Sequence, residues 1–322
     1  LSIAVARPIV DVGHCSPLRE HEEIEMAETT TLVLGGTGKT GRRVVERLKA
    51  RNRPVRVGSR SGQPRFDWEE PATWSAALRN VGAVYVSYYP DLAAPGAADA
   101  IRSFTDLAVA SGVQRLALLS GRGEPEAQRC EQLVRNSGAE WTLLRASWFC
   151  QNFSENHLLE PVLAGEVALP VGNVGEPFVD AGDIADVAVA ALTEDGHAGR
   201  LYELTGPRLW TFAEAVAEIG RVTRRNIRYV ELSIEEYASG LTKAQLPQEL
   251  VTLLTHLFTE VLDGRNASLA DGVERAVGRP PRDFTEYARE AAATGIWTPD
   301  RQEAASPMAR GRGVDPAALR SS

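Results

Sequence analysis

The sequence predicts an α/β fold, a doubly wound parallel sheet with a smaller, mostly helical C-terminal region. Three observations carry this expectation. Short apolar runs alternate with amphipathic helical stretches from residue 30 to about residue 145. A glycine-rich turn separates the first such strand from the first helix. Beyond about residue 205 strand signals thin out and helix-capping signals take over.

The elements follow in order. Thr31-Leu32-Val33-Leu34 is an apolar strand, and Gly41 to Ala50 sets Val44, Val45 and Leu48 on one helical face. Val55–Val57 and Val81–Ser87 are the next strands. The stretch from Ala97 to Ser111 puts Ile101, Phe104 and Leu107 on one face and stops at Gly112. Arg115–Ser120 is a strand, Glu126–Ser137 a helix and Trp141–Leu144 a strand. Strands that are apolar throughout, separated by helices, belong in a parallel sheet covered on both faces. Thr211–Glu214 reads as a capping box opening a helix to about Val222, Ile227–Leu232 as a strand and Ser233–Glu236 as a second capping box. Helical patterns follow at Pro247–Leu262, Leu269–Val277 and Phe284–Ala293.

These elements divide the chain into an extension over 1–29 expected to be disordered, a nucleotide-binding core over 30–155, the remaining core strands with a substrate or cap region over 156–297, and a disordered tail over 298–322. The segment before residue 30 lacks the basic start and small-residue cleavage site of a secretory signal. No run of about 18–20 apolar residues exists to span a membrane. Acidic residues outnumber basic ones 43 to 35, which argues against a nucleic-acid binder. Three scattered cysteines and five unclustered histidines suggest neither a disulfide framework nor a metal site, and the pattern suits a reducing cytoplasm.

The glycine turn is Gly35-Gly36-Thr37-Gly38-Lys39-Thr40-Gly41. Gly35, Gly38 and Gly41 have the GxxGxxG spacing of short-chain dehydrogenase-type, Rossmann-like dinucleotide sites. Glycine there permits a tight turn and close approach of backbone to pyrophosphate at the helix N-terminus. The rival reading, a P-loop ending in Gly38-Lys39-Thr40, requires glycine at position 33, which is Val33. The second strand ends in Gly58-Ser59-Arg60-Ser61, with no acid to take a ribose 2′-hydroxyl. Arg60 instead suits a 2′-phosphate, with Ser59 and Ser61 adding hydrogen bonds and Lys39 and Arg42 adding charge, so NADP(H) is the expected cofactor. A solvated surface arginine is the alternative.

Only three of the 35 basic residues are lysines, namely Lys39, Lys49 and Lys243. Four positions before them stand Gly35, Val45 and Ser239, so no YxxxK proton-donating pair exists in the chain. Ordinary ketone reduction through such a pair is therefore not expected. An iminium accepts hydride without protonation at the reacting atom, and a quinone-like acceptor is the other candidate.

Together VLGGTGKTG, Arg65–Trp68, the Leu144–Phe149 stretch with Gln151-Asn152-Phe153, and Pro177–Ala185 resemble NmrA-like atypical short-chain dehydrogenases, most of all the festuclavine and agroclavine dehydrogenase type. The resemblance spans about residues 30 to 295. It implies that Asp67 and Trp68, after a third strand, lie at the adenine end of the cofactor. Ser87 and Tyr88, after a fourth, would line ribose and pyrophosphate. Ser120 after a fifth and Ala146–Phe149 after a sixth would approach nicotinamide and substrate. Ala146 and Gln151 depart from the proline and glutamate usual in the family. Trp148, Phe149 and Phe178 are expected to shape an apolar substrate pocket, with core packing the alternative for the first two. Tyr88 and Ser120 are the candidate catalytic residues, Tyr85 is expected to be buried, and Asp180 and Asp183 are expected to cap a helix. His157 is expected at the surface or in the core rather than at substrate, and Cys150 to be buried.

The sequence thus predicts an NADPH-dependent reductase of an imine, iminium or quinone-like small molecule, with activation residing in the substrate. The alternative is a catalytically silent NADP(H) sensor that binds a regulatory protein; a homodimer is also open.

Overall fold

A computed structural model describes residues 29–299. The extension expected over 1–29 and the tail expected over 298–322 lie outside the described residues, except at their inner edges. In chain order the elements are β1 (Thr30–Leu34), α1 (Lys39–Ala50), β2 (Val55–Gly58), α2 (Trp74–Ala77), β3 (Val81–Val86), α3 (Ala97–Ala110) and β4 (Arg115–Gly121). Next come α4 (Pro125–Arg135), β5 (Glu140–Ala146), α5 (Asn152–Glu155), α6 (Leu159–Ala164), β6 (Glu166–Leu169), α7 (Ala181–Thr193) and β7 (Arg200–Leu204). The chain closes with α8 (Phe212–Thr223), β8 (Arg228–Glu231), α9 (Ile234–Lys243), α10 (Gln248–His256), α11 (Gly272–Val277) and α12 (Phe284–Ala293).

Six strands form one parallel sheet in the order β2-β1-β3-β4-β5-β7. Alternation along each strand sorts its side chains to two cores. Leu32 and Leu34 of β1 join Val84, Ile101, Phe104 and Val134 on one face, while Val33 joins Val44, Leu48, Ile184 and Ala188 on the other. A third core gathers Phe153, Phe178, Phe212, Phe284 and Trp297, around which the small parallel pair β6–β8 and helices α8 and α12 assemble. Both capping boxes form, Thr211 with Glu214 and Ser233 with Glu236. Asp180 caps α7, its carboxylate accepting from the Gly182 amide at 2.6 Å. Asp183 instead accepts from Arg279 at 2.7 Å and pairs with Arg282, tying α7 to the approach to α12.

Three expectations need correction. The strand expected before Asp67 is absent, so Val81–Val86 is the third strand among the described residues and every later strand moves down by one. Ser61-Gly62-Gln63-Pro64-Arg65 has no apolar run to pair. The chain there folds back instead, with the Phe66 amide donating to the Ser59 carbonyl at 2.9 Å and Phe66 entering the core. The helix expected over Pro247–Leu262 is regular only as α10 and ends in a π-helical turn, Leu257–Val261. The helix expected from Leu269 starts at Gly272, because Thr205 Oγ1 and the Ala270 backbone hydrogen-bond at 3.1 Å and hold that segment beside β7.

Among the described residues no helix is long and apolar enough to cross a membrane.

Candidate functional site

Strand order reverses between β1 and β3, where parallel α/β sheets leave a crevice at the carboxyl ends of their strands. A cavity of about 370 Å³ occupies that place, lined by the residues that follow β1, β2, β3, β4 and β5 and closed by α10.

The glycine turn forms one wall. Gly35 adopts φ +61°, a left-handed conformation that disfavours a side chain. A Cβ on Gly41 would lie 2.1 Å from the Gly35 carbonyl oxygen, so the third glycine lets α1 start directly against the turn. Gly41 is thus a packing glycine that does not itself line the cavity, whereas Gly35, Thr37, Gly38, Lys39 and Thr40 do. This cradle, with amide groups at the start of a twelve-residue helix, fits a dinucleotide pyrophosphate.

Around the mouth, Ser59, Arg60, Asp67, Trp68, Ser87 and Tyr88 all line the cavity. Arg60 is exposed, its guanidinium 5.9 Å from the centre of the Tyr89 ring. Asp67 accepts from Arg65 at 2.7 Å, and the Trp68 indole donates to the Ser87 carbonyl at 3.1 Å while packing on Tyr88. Arg42, expected to add charge here, pairs with Glu155 at 2.7 Å and does not line the cavity. Lys39 turns the same way, donating to Asn152 Oδ1 at 3.1 Å. Burial brings its pKa down to about 8, with Glu155 opposing that fall and Arg42 and Arg43 adding to it.

Of the two catalytic candidates, Ser120 lines the cavity but donates its hydroxyl proton to Glu131 Oε1 at 2.7 Å, a carboxylate also held by Arg145. It therefore faces the cavity as an acceptor. Burial raises the pKa of Tyr88, which makes its phenol a poorer proton donor. Tyr85 is buried as expected, and Tyr88 and Tyr89, beyond the end of β3, line the cavity.

Deeper in, Trp148 and Phe149 line the cavity, together with Leu250, Leu253, Leu254 and Leu257 from α10 and its π-helical turn. Phe178 does not. It is 1% exposed and packs edge-on against Phe153 and Phe212, because the bridge between Phe149 and Val179 turns it into the third core. Cys150 is buried, and burial lifts its thiol pKa well above the usual range.

Sequence reasoning missed Glu176, Asp91 and Glu124, and it expected His157 away from the cavity that His157 in fact lines. Glu176 is 1% exposed, lines the cavity and accepts the Trp148 amide on Oε1 at 3.0 Å. Burial pushes its pKa up to about 7 against the opposing pull of the Trp148 amide and Arg122. His157 lines the cavity too, and burial together with the charge of Lys39 depresses its pKa to about 4. Asp91 and Glu124 also line the cavity and share a hydrogen bond, and burial raises both carboxyls so that the pair retains a proton. Glu176 stands alone between Gly175 and Pro177, and no local pattern marks it. Its place comes from an antiparallel bridge to Trp210, far along the chain.

The pattern of the NAD(P)H-binding family matches residues 35–195. A NAD(P)H azoreductase from Xenophilus azovorans is 31% identical over 81% of this chain and 98% of its own length. An agroclavine dehydrogenase from Claviceps fusiformis is 30% identical over 80% of this chain and 96% of its own. The solved NADPH-dependent quinone oxidoreductase of Escherichia coli, complexed with NADPH, superposes with a TM-score of 0.68 at 22% identity, covering 81% of this chain and 99% of that one, a likeness in fold.

Proposed function

Because the chain belongs to the NAD(P)H-binding family of NmrA-like atypical short-chain reductases, we propose that it is an NADPH-dependent reductase of a small imine, iminium or quinone-like molecule. The observation that carries this reading is the continuity of one cavity. It runs from exposed Arg60 past Ser87 and Ser120 to an apolar wall of Trp148, Leu250 and Leu254. A sensor needs room for the nucleotide alone, whereas this space extends beyond the residues that would hold it.

Gly35, Thr37, Gly38 and Thr40 would hold the pyrophosphate, Asp67, Trp68, Ser87 and Tyr88 the adenosine half, and Arg60 with Ser59 the 2′-phosphate. NADPH bound there supplies a hydride equivalent. Trp148 and Phe149 present flat apolar surface to a planar acceptor, and the α10 leucines exclude water from it. Lys39, held by Asn152, keeps a positive charge beside the Phe149 ring, 5.9 Å from its centre.

The decisive experiment is steady-state NADPH oxidation with a panel of quinones, azo compounds and cyclic iminium ions. Turnover of at least one class is expected, with NADPH preferred over NADH. Tight NADPH binding with no turnover across the panel, and equal affinity for NADP⁺, would replace this reading with the sensor.

A further inference from the structure

Six buried side-chain polar atoms among the described residues have no hydrogen-bond partner, and three of them, Asn156 Oδ1, His157 Nε2 and Glu176 Oε2, belong to residues that line the cavity. A buried polar group without a hydrogen bond is costly, so such atoms in the cavity lining mark where a ligand's polar atoms belong. Glu176 differs from the other two. Its Oε1 is fixed by the Trp148 amide, which leaves Oε2 as the single unpartnered oxygen of a carboxyl that, like Trp148, belongs to the cavity lining.

We propose that Glu176 is the proton donor to neutral acceptors in this cavity, such as quinones and other conjugated carbonyl or azo compounds. The proposal rests on the reductase reading given above. Hydride addition to a neutral C=O, C=C–C=O or N=N system leaves a pair of electrons on oxygen or nitrogen. The proton on Glu176 Oε2 passes to that atom, the carboxyl O–H breaking as the new O–H or N–H bond forms. Glu176 is left as a carboxylate accepting from Trp148 and regains a proton from water between turnovers. A cationic iminium becomes a neutral amine on hydride addition and needs no such proton, so it bypasses Glu176.

The surroundings agree with a carboxyl that is neutral at the outset. Arg122, whose guanidinium is spent on Ser147, the Asn266 and Ser268 carbonyls and Glu203, is the charged group that favours its ionised form. Lys39, His157, Asp91 and Glu124 also face the cavity. Burial lowers His157 to about 4 and Lys39 to about 8 and raises Asp91 and Glu124, so it is the loss of the transition near 7 in the Glu176 variant that assigns it to Glu176.

The test compares Glu176→Gln with the wild type on 1,4-naphthoquinone and on N-methyl-3,4-dihydroisoquinolinium. Glutamine keeps an acceptor for the Trp148 amide, and a thermal melt checks that the fold survives. Expected is a loss of about 10²–10⁴-fold in kcat on the quinone with little change on the iminium. The wild-type quinone rate should fall as pH rises through about 7; that fall should vanish in the variant and be absent with the iminium. Equal losses on both acceptors, or a quinone rate that is unchanged, would overturn the proposal. If the wild type reduces neither compound, the reductase reading fails separately. Binding of 1,4-naphthoquinone without NADPH, followed by tryptophan fluorescence, then decides the role of Glu176. Affinity that weakens about 5- to 10-fold above neutral pH in the wild type, but not in the variant, supports a protonated donor, and a flat profile in both refutes it.

Discussion

At the Arg60 end of the cavity the polar side chains are half-buried or, at Arg60, exposed and are engaged with one another or with backbone, whereas at the Glu176 end three side-chain polar atoms are buried and lack partners. The same sheet edge carries both. The mouth is built from the turns after β1, β2 and β3 and from the segment at Asp67 and Trp68, and its charged Arg60 reaches water, where charge is cheap and screened. The deep end is assembled from the segment after β5, from Glu176 and from the α10 leucines, and burial there moves Glu176 up and His157 down from their ordinary ranges. Recognition by charge suits the first environment, and proton transfer suits the second.

The contrast can be broken at either end. The largest effect expected at the mouth is from Arg60→Ala, which should weaken NADPH binding about 10- to 100-fold and leave NADH binding nearly unchanged, measured by calorimetry. The NADPH advantage should also shrink as ionic strength rises from about 0.01 to 0.15 M, while NADPH-free naphthoquinone binding at the deep end stays constant. Equal losses for both nucleotides would mean that Arg60 does not read the 2′-phosphate. A smaller effect is expected from His157→Asn. With its pKa depressed to about 4, His157 is neutral over the working range, so the variant should leave the fall in quinone rate near pH 7 in place. An inflection displaced by more than about one unit would transfer the titration to His157. The smallest effect, Thr211→Ala, removes one capping box from α8 and should cost about 1 kcal/mol in a thermal melt, with nucleotide affinity unaltered.

What was legible in the sequence divides along the same line. Gly35, Gly38 and Gly41 are readable because a tight turn between strand and helix is a local demand, met within seven residues. Arg60 is readable because the end of β2 has a set position relative to that turn. The capping boxes at Thr211 and Ser233 are likewise local, and both form. The strand expected before Asp67 came from the resemblance rather than from these residues, and the chain there turns back on Ser59. Phe178 sits in a family-like stretch, yet the pairing of Val179 with Phe149 decides which way it points. Glu176 and the Asp91–Glu124 pair depend on contacts between distant segments, and an isolated acid carries no periodicity that would announce its burial. Arg42 was placed by proximity in sequence, but Glu155 captures it.

The leucine wall contributed by α10 and its π-helical turn has a consequence for divergence among related chains. Leu250, Leu253, Leu254 and Leu257 enclose the deep end, yet none of them belongs to the glycine turn or to the strand ends that form the mouth. Mutational drift along this single short segment can therefore reshape which molecules are admitted while nucleotide recognition is inherited intact. A laboratory seeking new acceptors would randomise those four codons first.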